Sequence, residues 1–130
     1  MGFIPHTYDD GQCRPFETLP VTGSIAVDVG TGLTMTAGKL ALATGTTAPS
    51  YISMTARAAT VDGEMIAVER VGKDLVYETS LSVDSASIAR GAKYTISADG
   101  NQITATTTSG VAEVVAYDGT TAGSKVRIRF

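Results

Sequence analysis

Residues 62–81 read DGEMIAVERVGKDLVYETSL, and the fold class turns on how this stretch is read. Leu75, Tyr77, Thr79 and Leu81 alternate with Val76, Glu78 and Ser80. A period of two is the mark of a β-strand with one buried face, because successive strand side chains point to opposite sides. Met65 to Val71 is a second run, mostly apolar and rich in strand formers. Gly72-Lys73-Asp74 separates the two runs. Three residues including a glycine suit a tight connection, since glycine reaches positive φ without a Cβ clash. The stretch therefore predicts an antiparallel hairpin.

The same grammar of run, turn and run extends in both directions. Downstream, Tyr94 and Ile96 alternate with polar neighbours, and Asp99-Gly100-Asn101 marks a hairpin turn. Gln102 to Ser109 is a threonine-rich strand with Ile103 and Ala105 inward. Val111 to Tyr117 follows, then the Asp118-Gly119 turn, and Val126, Ile128 and Phe130 form the inward face of a last strand. Ser82 to Arg90 is one helical turn or a turn-rich corner. Upstream, Ser24 to Val29 predicts a strand with Ile25, Val27 and Val29 inward. Leu33–Thr36 and Lys39–Ala43 predict a short pair about Ala37-Gly38, and Tyr51 to Met54 a short strand. Eight or more short strands with turns every eight to twelve residues predict an all-β domain, a small barrel or sandwich.

Residues 1–20 break this pattern. They hold Pro5, Pro15 and Pro20, Phe3, Phe16 and Tyr8, and the chain's only histidine (His6) and cysteine (Cys13). Prolines at this spacing block a helix and interrupt a sheet ladder. The segment is predicted to be an extended N-terminal arm, with residues 21–130 forming the β-domain. A frayed tail is the competing reading. Phe3, Ile4, Pro5, Tyr8 and Phe16 favour an arm that docks on another surface, since disordered tails are poor in large apolar residues.

The chain's 130 residues fit one domain, and 43% hydrophobic content supports a core. A net charge of −3 argues against nucleic acid, which calls for a dense Lys/Arg surface. One cysteine closes no intrachain disulfide, and one Cys with one His makes no four-ligand zinc site. No metal and no cofactor are expected. The first residues lack the basic and apolar regions of a signal peptide, and no apolar run is long enough for a membrane helix. His6 stands where a myristoylation signal prefers Ser or Thr. The expectation is a protein made in the cytoplasm and free of membranes.

No catalytic residues are assigned. Asp62, Asp99 and Asp118 each precede a glycine and are explained by turn geometry. A glycosidase-type carboxylate pair would have to be Glu69 and Glu78 across the predicted hairpin, but no cleft is indicated. Nucleophilic catalysis would need His6, which lies among prolines where nothing would hold it in place. The glycine-rich stretches at 30–32 and 45–47 lack a phosphate loop's lysine and helix. Glu69, Glu78, Arg127 and Arg129 are instead candidates for contacts between copies of the chain. Lys125, Arg127 and Arg129 share the outward face of the last strand.

Four stretches carry a resemblance: APSYISM (48–54), DGEMIAVERVGKDLVYET (62–79), ADGNQITATTTSGVAEVV (98–115) and DGTTAGSKVRIRF (118–130). From about Thr47 onward the sequence resembles the capsid decoration, or cement, proteins of tailed bacteriophages. The resemblance implies a small β-barrel or β-tulip that trimerises on the outside of an icosahedral head and locks the major capsid protein lattice, with the N-terminal arm lying on the capsid. It implies self and the major capsid protein as partners, and the virion exterior as location. The alternatives are a glycan- or ligand-binding module of a head fibre or tail, using loops 44–50 and 120–124, and a tail-tube component.

Overall fold

A computed structural model describes residues 2–7 and 16–130, with the backbone alone at His6 and Thr7. The chain is all-β. Among the described residues ten strands run in order: β1 (Ile4–Thr7), β2 (Phe16–Pro20), β3 (Gly32–Thr36), β4 (Lys39–Leu42), β5 (Tyr51–Ser53), β6 (Met65–Arg70), β7 (Val76–Ser80), β8 (Lys93–Tyr94), β9 (Ala112–Tyr117) and β10 (Lys125–Arg129). There is no helix among the described residues, and Ser82 to Arg90 is a turn-rich corner. The strands form two antiparallel five-stranded sheets. Sheet I has the order β1-β7-β10-β9-β8 and sheet II the order β2-β6-β5-β3-β4.

The predicted central hairpin does not form. Both strands exist, but β6 belongs to sheet II and β7 to sheet I. Residues 71–75 are a corner between sheets, where the Gly72 N–H donates to the Tyr77 hydroxyl at 3.2 Å and the Leu75 N–H to the Gly72 carbonyl. The cause is that the two strands serve different cores. Ile66 and Val68 of β6 bury against Val21, Val27, Leu33 and Leu40 inside sheet II. Leu75, Tyr77 and Leu81 bury with Phe3, Tyr94, Ile103, Val114, Val126 and Ile128 on sheet I. Glu69 and Glu78 therefore lie on different sheets and cannot pair.

The predicted pair about Ala37-Gly38 is present as β3 and β4, with Leu33 opposite Leu42 and Met35 opposite Leu40. Its two turn residues have φ of 51° and 81°, the type I′ geometry whose twist matches that of the strands. Sheet II curls until its edges meet at one parallel bridge, Val21 to Leu40. The Asp62 carboxylate fastens that seam, accepting from Lys39 Nζ at 2.7 Å and the Gly23 N–H at 3.2 Å. No closed barrel results: the all-β fold expected from the sequence takes the form of two sheets over two cores.

Two other expected strands dissolve. Residues 24–29 make a single bridge, Val27 to Arg57, and Val29 is exposed. Residues 102–109 make isolated bridges only at Ile103, and Ala105 is exposed. The turn at 99–101 that precedes the second of these is as expected, with Gly100 at φ 73°. It also ties the halves of the molecule together. Asn101 Oδ1 accepts from the Thr31 hydroxyl at 2.6 Å, while its carbonyl accepts from the Thr79 hydroxyl at 2.7 Å.

The described parts of residues 1–20 are not a separate arm. β1 is the edge strand of sheet I, pairing Ile4 with Glu78 and Pro5 with Tyr77. β2 is the edge strand of sheet II, pairing along its whole length with β6. Phe3 is fully buried, its ring edge-on to Phe130 at 5.1 Å, and its N–H donates to the Gly30 carbonyl at 2.7 Å. A boundary at Pro20 is thereby corrected. Edge strands tolerate proline, which has no N–H to give to a ladder, so the spacing that spoke against a strand is compatible with two edges. Tyr8 and Cys13 lie outside the described residues.

Candidate functional site

The outer face of sheet I carries an ion-pair ladder. In the pairing of β7, β10 and β9, Arg127 stands opposite Glu78 and Arg129 opposite Glu113, so these side chains share one face. Arg127 lies 3.4 Å from Glu78 and 3.3 Å from Asp118, Lys125 is 3.7 Å from Glu78, and Arg129 is 3.9 Å from Glu113. Of the four self-association candidates, the structure unites Glu78, Arg127 and Arg129. It separates Glu69, which is 5% exposed within sheet II. Pairs this exposed contribute little stability each. They set the charge pattern of the face.

The N-terminal candidates divide in the same way. Phe3 is a core residue and is corrected as a contact candidate. Pro5 is half-buried against Tyr77 in the ladder. Ile4 and Phe16 remain outward, 39% and 65% exposed, each on an edge strand. Met65, across the β2–β6 ladder from Pro20, is exposed as well. The outward apolar side chains of this segment are thus held on sheet edges.

A second feature lies at the junction of the sheets. The loop before β5 supplies Pro49, β5 supplies Tyr51, and β6 ends in Arg70. The corner supplies Val71 and Lys73, and Phe130 closes the wall of a hollow of about 270 Å³. Arg70 sits over the Tyr51 ring at 5.6 Å and reaches Glu17 at 3.4 Å. The hydrogen bond and charge of Glu17 raise the Arg70 pKa above its ordinary value. Lys73 has no ion-pair partner among the described residues. Loop 44–50 contributes to this hollow, whereas loop 120–124 packs by Leu81 and Asp84 and takes no part. Lys73 was legible only as a turn residue, because the hollow exists only once the hairpin opens into a corner.

The carboxylates with lowered pKa are structural. At Asp62 the Lys39 hydrogen bond is the main cause. At Glu64 it is the Val61 N–H, donated at 2.8 Å. Burial pushes Asp99 up, but bonds from the Ser97 hydroxyl and the Asn101 N–H outweigh it and leave the group lowered. Among the described residues no three His, Cys, Asp or Glu side chains are grouped to hold a metal ion, and no helix is long and apolar enough to cross a membrane. No protein-family model matches this chain, and neither a curated protein nor a solved structure does.

Proposed function

We propose that the chain is a non-enzymatic decoration protein of a phage particle, a lobe that trimerises on the outside of the head and binds the major capsid protein lattice. One observation carries the reading. The N-terminal segment forms an edge of each sheet, and on those edges Ile4 and Phe16 are left outward; among the described residues only the far end of the β2 edge, at Val21, meets another strand. An exposed strand edge with apolar side chains is a template for strand addition and for anchors on a neighbouring chain. The sequence resemblance from about Thr47 onward supports the same reading. The gripping element is the edges and the side chains they present, in place of a free arm.

This changes the test. Deleting residues 1–20 would remove an edge strand from each sheet and Phe3 from a core, so it would unfold the protein whatever its partner. The informative variant is Ile4→Asp with Phe16→Asp, both at exposed positions. The native chain is expected to sediment as a trimer and to co-sediment with expanded, undecorated tailed-phage capsids. The double variant is expected to keep its strand-rich circular dichroism and lose both. A native chain that stays monomeric and fails to co-sediment, or a double variant that binds like the native chain, overturns the reading.

A further inference from the structure

We propose that the hollow between the sheets is a binding site for a small organic monoanion with a flat apolar body, such as an aromatic carboxylate. The inference does not depend on the decoration reading. It rests on the way two chemistries meet at one concave place. Pro49, Tyr51, Val71 and Phe130 are the apolar part of its lining, and Arg70 and Lys73 are the cations. Small-molecule sites have this make-up, mostly apolar walls with a few polar groups that fix orientation. The volume of about 270 Å³ lies just below the usual range of about 300–1,000 Å³, so the ligand is smaller than a drug-sized molecule.

The two cations are not equivalent. Arg70 is already occupied by Glu17 and held above Tyr51. Its charge is partly answered. Lys73 is exposed at the tip of the corner, with no carboxylate in ion-pair range among the described residues. An ammonium is a compact point charge on a flexible stem, able to swing toward an anion seated on the apolar wall. Lys73 is therefore the residue that selects charge, while Tyr51 and Phe130 select a flat body. The second hollow, between Asp28, Arg57 and Asn101, lacks this division, having no aromatic wall.

The test is an amide NMR titration of the full chain with phenylacetate, with phenylacetamide as the neutral isostere and inorganic phosphate as the anion without a ring. Phenylacetate is expected to give saturable shifts at the amides of Tyr51, Val71, Lys73 and Phe130. The apparent affinity is expected to fall about fivefold in Lys73→Gln and by a similar factor for phenylacetamide, the size of one partly exposed charge contact. Because Lys73 is exposed, that variant leaves the fold intact, which the unperturbed remainder of its spectrum reports. The proposal is overturned if phenylacetate gives no saturable shifts at these amides, or if Lys73→Gln binds it as the native chain does. Equal binding of the amide, or phosphate acting as strongly as phenylacetate, overturns it as well.

Discussion

Ala37 holds a backbone conformation that its own side chain opposes. At φ 51° an L-residue's Cβ crowds the neighbouring carbonyl, and the left-handed region costs about 1–2 kcal/mol for most residues. Asparagine enters this region far more readily and is favoured, followed by glycine, in type I′ turns. Ala37 is exposed and is followed by Gly38, so Ala37→Asn is expected to stabilise the protein by about 0.5–1 kcal/mol. Ala37→Val is expected to destabilise it, since a β-branched residue fits the region worst. Urea denaturation of the two variants, which must move in opposite directions, checks the sign. Phe3 is the opposite case, an apolar side chain fully enclosed against Phe130. Phe3→Ala is expected to cost about 3–5 kcal/mol, a large part of a small domain's stability. A cost below about 1 kcal/mol in urea would mean that Phe3 does not fill the core as described. The composition of residues 1–20 was read from prolines and aromatics, but which aromatic plugs a core and which faces out depends on partners far along the chain.

Strands were legible where alternation was strong, but a partner was legible only where a tight turn joined the two, as at Ala37-Gly38. Leu75, Tyr77 and Leu81 are buried as their spacing implied, and so are Val126 and Ile128. Alternation reports a buried face, which is a local property. It carries nothing about which strand lies alongside, and here β7 lies between β1 and β10, some seventy residues upstream and forty-five downstream. The threonines of 102–109 misled for a related reason. Threonine favours strands in general, yet the hydroxyls of Thr95 and Thr104 bond each other at 2.6 Å, and that of Thr104 also accepts the Thr106 N–H. Side-chain bonds of this kind give the backbone an alternative to a regular ladder. At the corner between β6 and β7, the Tyr77 hydroxyl accepts the buried Gly72 N–H. Tyr77→Phe keeps the ring in the core and removes that acceptor. It is expected to cost about 1–3 kcal/mol, the penalty of a buried donor left without its partner. Hydrogen exchange at the Gly72 amide should quicken while the amides of β9 and β10 keep their protection relative to global stability. An unchanged Gly72 rate would show that the corner is held by other contacts.

At the scale of the whole molecule, two cores are joined by polar stitches at Asn101, and carboxylates brace the turns and the seam around them. Asp62 fastens the seam of sheet II, Glu64 holds the turn before β6 through Val61 and Arg57, and Asp99 organises the turn whose Asn101 reaches toward both sheets. The existence of two cores was not legible in the sequence, because inward positions look alike whichever core receives them. The turn that joins the cores was legible at Asp99-Gly100, and the turn at the seam of sheet II at Asp62-Gly63. All three carboxylates have folded pKa values below their ordinary 3.8, 4.5 and 3.8. The unfolded chain then binds more protons than the folded one wherever pH lies between the two values. Stability therefore rises with pH through that window. The contribution is fully present above the ordinary carboxylate range and is lost as pH falls through the lowered folded values. Asp62 is solvent-exposed and Glu64 half-buried near the surface, so the effect at each is small and sensitive to salt. Urea midpoints are expected to be level from about pH 7 to pH 5 and to decline from about pH 4 to pH 2.5. Asp99→Asn should make that decline shallower while lowering the midpoint at neutral pH, because the variant lacks the charge that the Ser97 and Asn101 bonds favour. A midpoint that rises on acidification, or a decline of the same steepness in Asp99→Asn, would show that these carboxylates do not favour the folded state in the way the hydrogen bonds describe.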